Sequence, residues 1–125
     1  MIYVLSLNSF IIFSPNPAKL RDFYKAVLKK NPEMEEGGYY GFVAGNAFLS
    51  VGPHDKVKGS NSNPERIMFN FDTEEVREEF KRIKNLGAKV IAQPYQMEGS
   101  DMWIATFADP DGNYFQLTTP WKEKK

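Results

Sequence analysis

The feature that most constrains this chain is that it runs through one pattern twice. Ser9-Phe10-Ile11-Ile12-Phe13 is β-branched and aromatic, which predicts a strand covered on both faces. In Ser14-Pro15-Asn16-Pro17, Asn16 is placed to cap a helix whose first residue is Pro17. That helix is expected over Ala18–Lys29, with Leu20, Phe23, Tyr24, Val27 and Leu28 on one face, and Asn31-Pro32 stops it. After Gly37-Gly38, strands are expected over Tyr39–Val43 and Ala47–Val51, around an Ala44-Gly45-Asn46 turn. The second half keeps the order. A strand is expected over Arg66–Phe71, then a helix opened by Asp72 with Glu75 as its reciprocal cap. Val76, Phe80, Ile83 and Leu86 form its apolar stripe, and Gly87 suits the left-handed position that ends it. Strands follow at Lys89–Ala92, Met102–Phe107 and Tyr114–Thr118, the last two joined by Asp109-Pro110-Asp111-Gly112-Asn113.

The match is closest at the hairpins, where Gly45-Asn46-Ala47-Phe48-Leu49 aligns with Gly112-Asn113-Tyr114-Phe115-Gln116. A repeated βαβββ unit leaves each half with a sheet face that it cannot cover alone. The expected fold class is therefore α+β, two βαβββ modules forming a curled mixed sheet around a cleft, the default ligand site. At 125 residues two independent domains would each be marginal, so residues 1–125 are read as one domain. Module one covers about 1–52 and module two about 66–120. The proline-, glycine- and Ser-Asn-rich stretch of about 53–65 connects them.

Composition removes several function classes. Sixteen basic residues balance sixteen acidic ones, so the chain lacks the positive excess that a nucleic-acid backbone rewards. The short tail Lys122-Glu123-Lys124-Lys125 is the one basic concentration. The absence of cysteine excludes disulfides, thiolate metal sites and cysteine nucleophiles, and is compatible with a reducing cytoplasm. Met1 to Phe13 is apolar but lacks a basic leader region and a small-residue cleavage site, and is read as strand. No run is long enough to span a membrane. The expected setting is the cytoplasm, with neither nucleic acid nor membrane as partner.

Two stretches give the pattern a family likeness. Ser14-Pro15-Asn16-Pro17-Ala18-Lys19-Leu20-Arg21-Asp22-Phe23-Tyr24 and Phe107-Ala108-Asp109-Pro110-Asp111-Gly112-Asn113-Tyr114-Phe115-Gln116-Leu117 resemble the vicinal oxygen chelate superfamily. That group includes glyoxalase I, bleomycin-resistance proteins, fosfomycin-resistance enzymes and extradiol dioxygenases. The resemblance implies symmetric dimers, with modules paired within or between chains, and so a homodimer here. In metal-dependent members it implies a divalent ion held by His and Glu on the first and last strands of each module. Carried over, those positions are Ser9, Leu49, Arg66 and Gln116, none of which is His, Asp, Glu or Cys. Arg66 would repel the ion, and Ser9 and Gln116 offer only neutral oxygens. No metal, cofactor or catalytic residue is therefore expected.

Strand alternation sorts the residues further. Phe10, Ile12, Ile67, Phe69, Phe71, Phe115 and Leu117 are assigned to the helix side. The cleft side then receives Ser9, Ile11, Phe13, Leu49 and Val51 from module one, and Arg66, Met68, Asn70, Tyr114, Gln116 and Thr118 from module two. This mostly apolar wall with a few polar groups suits an organic ligand, or alternatively a filled core. Arg66 is read as a carboxylate or phosphate clamp, or else as a salt bridge to a neighbour such as Glu65 or Asp101 or as plainly exposed at the strand start. Trp103 and the Tyr39-Tyr40 pair are candidates for stacking, and hairpin register decides the face of Trp103: with Phe107 opposite Phe115 it turns toward the helix. His54, the single histidine, is read as a solvated loop residue, with a general base or lone metal ligand as the alternative.

The function expected is a metal-free binder of a small organic molecule, similar in mode to the bleomycin-resistance branch, with binding favoured over catalysis and the enzyme reading left open. Bleomycin itself is disfavoured, because it is cationic and the chain is neutral. Two alternatives stand beside it. One is a metal-dependent lyase, isomerase or dioxygenase with atypical ligands drawn from His54, Asp55, Glu98 and Asp101. The other is a protein-interaction or regulatory module.

Overall fold

The computed structural model describes residues 4–121, so the basic tail and the start of the Met1–Phe13 run lie outside the described residues. The chain divides into two compact units, one ending at Gly59 and the other starting at Ser60.

Unit one contains β1 (Ser9–Phe13), α1 (Pro17–Leu28), β2 (Met34–Glu36), β3 (Tyr39–Ala44) and β4 (Ala47–Gly52). The sheet order is β1-β4-β3-β2, with β1 parallel to β4 and the other pairs antiparallel. Helix α1 begins as its sequence dictates: Asn16 Oδ1 accepts from Lys19 N–H, and Pro17 takes the first position. It ends one residue earlier than expected, at Leu28, because Lys29 adopts the left-handed conformation at φ 58°. Leu20, Tyr24 and Val27 are its buried stripe.

Strand β2 was not expected. Gly37 and Gly38 separate no loop from a strand; at φ 60° and 83° they form the two-residue turn of a β2–β3 hairpin. Residues 4–8 are not strand either, and Val4, Leu5 and Leu7 are exposed. Beyond β2, side chains take over the backbone of β3. Glu33 accepts from Val43 N–H at 2.8 Å, and Lys30 donates to the Val43 carbonyl at 2.7 Å while pairing with Glu33. The Lys30 contact, with the Val43 N–H, holds the Glu33 carboxyl below the usual glutamate range.

Unit two contains β5 (Phe69–Asp72), α2 (Val76–Asn85), β6 (Lys89–Gln96), β7 (Trp103–Ala108) and β8 (Tyr114–Thr118). The order β5-β8-β7-β6 repeats that of unit one, with β5 parallel to β8. Two βαβββ modules are thus present, as the repeat implied. Three boundaries need correction. Strand β5 starts at Phe69, so Arg66, Ile67 and Met68 precede it; Arg66 N–H donates to the Asn63 carbonyl in a turn instead of entering a ladder. Asp72 does not cap α2. It stays in β5, pairing continues to Thr73 N–H on the Thr118 carbonyl, and Thr73 Oγ1 accepts from Glu75 N–H to turn the chain into the helix. Strand β6 runs on to Gln96 through Pro94, which is tolerated because β6 is an edge strand with register shifts on either side of Ala92. Helix α2 ends on Gly87 at φ 94°, as expected.

Candidate functional site

In each unit, one side of the sheet carries the helix and the other is open. In unit two the helix side is a run of rings. Phe80 of α2 stacks on Phe107 at 5.2 Å, Phe107 on Phe115 at 5.7 Å, and Phe69 and Phe71 flank Phe115 at 5.9 and 5.7 Å. Phe107 lies opposite Phe115. This register turns Trp103 toward the helix, where the Arg77 guanidinium sits 4.7 Å above its ring. Trp103 is therefore removed from the open side.

The open side of unit two is polar. Asn70, Gln116 and Thr106 lie side by side on β5, β8 and β7. Gln116 Nε2 donates to Thr106 Oγ1 at 3.1 Å, and Thr106 is buried. That bond orients the amide and leaves Gln116 Oε1 available as an acceptor. Tyr114 and Thr118 continue the same face along β8. The preceding turn is held by Asp109, itself buried. Its Oδ1 accepts from Asp111 N–H at 2.9 Å and Asn113 N–H at 3.0 Å, while Asn113 Nδ2 reaches Oδ2. Asn61 adds a further tie to the loop, donating from Nδ2 to Asn113 Oδ1 and from its N–H to the Asp111 carbonyl. The Asp-Pro-Asp-Gly-Asn sequence thus serves to seat β8 and its Gln116.

The open side of unit one differs from the expected set. Leu49 pairs with Phe10, and Val51 with Ile12 and Tyr40. All share the helix side, where Arg21 of α1 lies 4.6 Å over Tyr40 and where Leu49, Val51 and Phe42 are buried. Leu49 and Val51 are accordingly moved from the open face to the core. The Gly-Asn alignment placed Leu49 with Gln116, but the faces differ by one residue, and one residue inverts every side chain. On β4 the open residues are Phe48 and Ser50, which pair with Ser9 and Ile11. Ser9, Ile11 and Phe13 of β1 are on the open side as expected. Sequence reasoning missed Phe48; of the Tyr39-Tyr40 pair named for stacking, Tyr39 is on the open side and Tyr40 on the helix side. The signal for both rings was Gly41 and Gly52: a Cβ at either would come to 2.3 Å from the Phe48 or the Tyr39 ring, so these rings pack close against glycine backbone. His54 is also more than a solvated loop residue, since its ring meets Phe13 edge-on at 5.0 Å.

Arg66 and Met68 stand ahead of β5 and are exposed, so no strand carries them onto the face. Among the described residues Arg66 makes neither of the salt bridges considered for it.

The positions that the resemblance assigns to a divalent ion do not fit one. Ser9 is an exposed hydroxyl, Leu49 is a core aliphatic, Arg66 is a cation in a turn, and Gln116 is an amide engaged with Thr106. Among the described residues no group of three or more His, Asp or Glu side chains is arranged to hold a metal. Among them, too, no helix is long and apolar enough to cross a membrane.

The two βαβββ modules define the class, and sequence and structure comparisons give the family. Residues 9–118 match the glyoxalase-like domain, and the chain belongs to that family. No curated protein matches the sequence. Among solved structures, a glyoxalase/bleomycin resistance protein/dioxygenase family enzyme from Burkholderia phytofirmans is similar with a TM-score of 0.74 at 19% identity, over 92% of this chain and 98% of that one. The fosfomycin resistance protein FosX from Listeria monocytogenes is similar with a TM-score of 0.68 at 20% identity, over 97% and 96%. A glyoxalase/bleomycin resistance protein/dioxygenase from Nocardioides reaches 0.77 at 12% identity, over 100% and 89%. These likenesses concern the fold.

Proposed function

We propose that this glyoxalase-like protein binds a small organic molecule, without a metal, on the sheet faces that its helices leave open. The observation that carries the reading is the Gln116–Thr106 pair on β8 and β7. At the place where the resemblance calls for a metal-binding carboxylate, the chain has an amide oriented by a buried hydroxyl. Such an arrangement recognises hydrogen-bonding groups on an organic ligand. Asn70, Tyr114 and Thr118 supply further polar groups on that face of unit two, and on the corresponding face of unit one Ser9, Ile11 and Phe13 are available. A sequestering role needs shape and a few convergent polar groups, and no group that transfers a proton or attacks a bond. The cytoplasm and a homodimer belong to the same proposal, through the family resemblance and the absence of cysteine.

A thermal-shift screen of small organic acids, planar aromatics and antibiotics tests it. A ligand present at a hundredfold its dissociation constant adds about 2.7 kcal/mol of stability. At least one compound is expected to raise the Tm, and Gln116→Leu is expected to reduce that rise. A panel without a single stabilising compound would contradict the proposal.

A further inference from the structure

The open face of unit one carries a second set of groups that the metal positions do not touch. Tyr39 packs closely against Gly52 and Phe48 against Gly41, so these rings form an aromatic shelf on that side of the sheet. Phe13 closes one end, and His54 stands against it edge-on at 5.0 Å. The orientation of the imidazole is fixed by its backbone. His54 Nδ1 accepts from Lys56 N–H at 3.1 Å, which places the proton of the neutral ring on Nε2. Protonation adds a hydrogen at Nδ1, where Asp55 Oδ1 waits at 3.3 Å, and keeps the one on Nε2. Nε2 is therefore a donor in both charge states, and among the described residues it has no hydrogen-bond partner.

We propose that this shelf stacks a planar conjugated ring system, and that His54 Nε2–H donates to a carboxylate or carbonyl oxygen on it. Aromatic rings grouped on one face favour an aromatic ligand over a saturated one of equal size. A donor beside that shelf adds direction, and a hydrogen bond to an ionised oxygen is stronger than a neutral one. The ligand class is thus an aromatic acid or a conjugated carbonyl compound. This rests on the reading of the open faces as a small-molecule site.

The single histidine gives an unambiguous probe. The full chain is titrated with naphthoate, and separately with cyclohexanecarboxylate, while the His54 imidazole signal is followed by NMR and affinity by calorimetry. Naphthoate is expected to shift the His54 signal saturably and to bind about tenfold more tightly than cyclohexanecarboxylate. His54→Phe keeps the edge-on contact with Phe13 and is expected to weaken naphthoate about tenfold, a loss of about 1.4 kcal/mol. Naphthoate binding with the His54 signal unmoved, or with His54→Phe unchanged, would overturn the assignment and leave the small-molecule reading standing. So would screen compounds that bind while naphthoate does not. Failure of naphthoate and of every screened compound would remove both.

Discussion

In unit one the side of the sheet away from α1 carries rings laid on glycine, whereas in unit two the same side carries an amide and hydroxyls. Tyr39 and Phe48 cover Gly52 and Gly41, and at the corresponding side of β7 and β8 Gln116 is bonded to Thr106. The chain path is common to both units, as is the strand order. A repeat therefore duplicates scaffold without duplicating chemistry. One unit is suited to stacking and the other to hydrogen bonding.

The largest expected effect tests the scaffold of unit two. Phe107 is fully buried between Phe80 and Phe115, and Phe107→Ala should cost about 3–5 kcal/mol, read from denaturant unfolding. A loss below 1 kcal/mol would mean that the ring stack does not hold α2 to its sheet. Next is the shelf of unit one. Gly41→Ala drives a methyl group into the Phe48 ring, and should cost about 1–3 kcal/mol as the ring is lifted. Unchanged stability would show that Phe48 does not rest on Gly41. A smaller effect is expected on the polar face, where Gln116→Leu should weaken a bound ligand roughly fivefold and cost about 1 kcal/mol of folding stability, because the buried Thr106 hydroxyl loses its partner. Equal binding by the variant would make the two open faces functionally alike and dissolve the contrast.

The smallest effect concerns the edge of unit one. The Glu33 carboxyl is held below its usual range by Lys30 and by Val43 N–H, so its folded pKa is lower than its unfolded one. Its contribution is complete above the ordinary glutamate range and fades as pH falls through it. Denaturant midpoints of Glu33→Gln should therefore fall below those of the natural chain at pH 7 and converge with them in acid. A gap that widens in acid would reverse the sign.

The fold was legible because its punctuation is local. Asn16-Pro17, Gly87 and the Asp109–Asn113 loop each determine a cap or turn within a few residues, and each behaves as written. The helix face of unit two was equally legible, since Phe69, Phe71, Phe115 and Leu117 alternate without interruption. What failed depended on parity. Leu49 was matched to Gln116 through the Gly-Asn turns, yet the side on which the helix packs is a tertiary matter that no turn encodes. Arg66 failed for a related reason: its alternation continues that of β5, but β8 pairs with β5 only from Phe115 onward, opposite Phe69. The shelf was hidden in plain composition, because a strand glycine announces a close neighbour without naming it.

The central claim is that an organic ligand is held without a metal. The direct measurement is a thermal-shift panel on chelator-treated protein, repeated after adding manganese, nickel or zinc. Compounds that stabilise the chain should do so equally in both series, and their rise should diminish in Gln116→Leu. Stabilisation that appears only once a divalent ion is supplied would contradict the account.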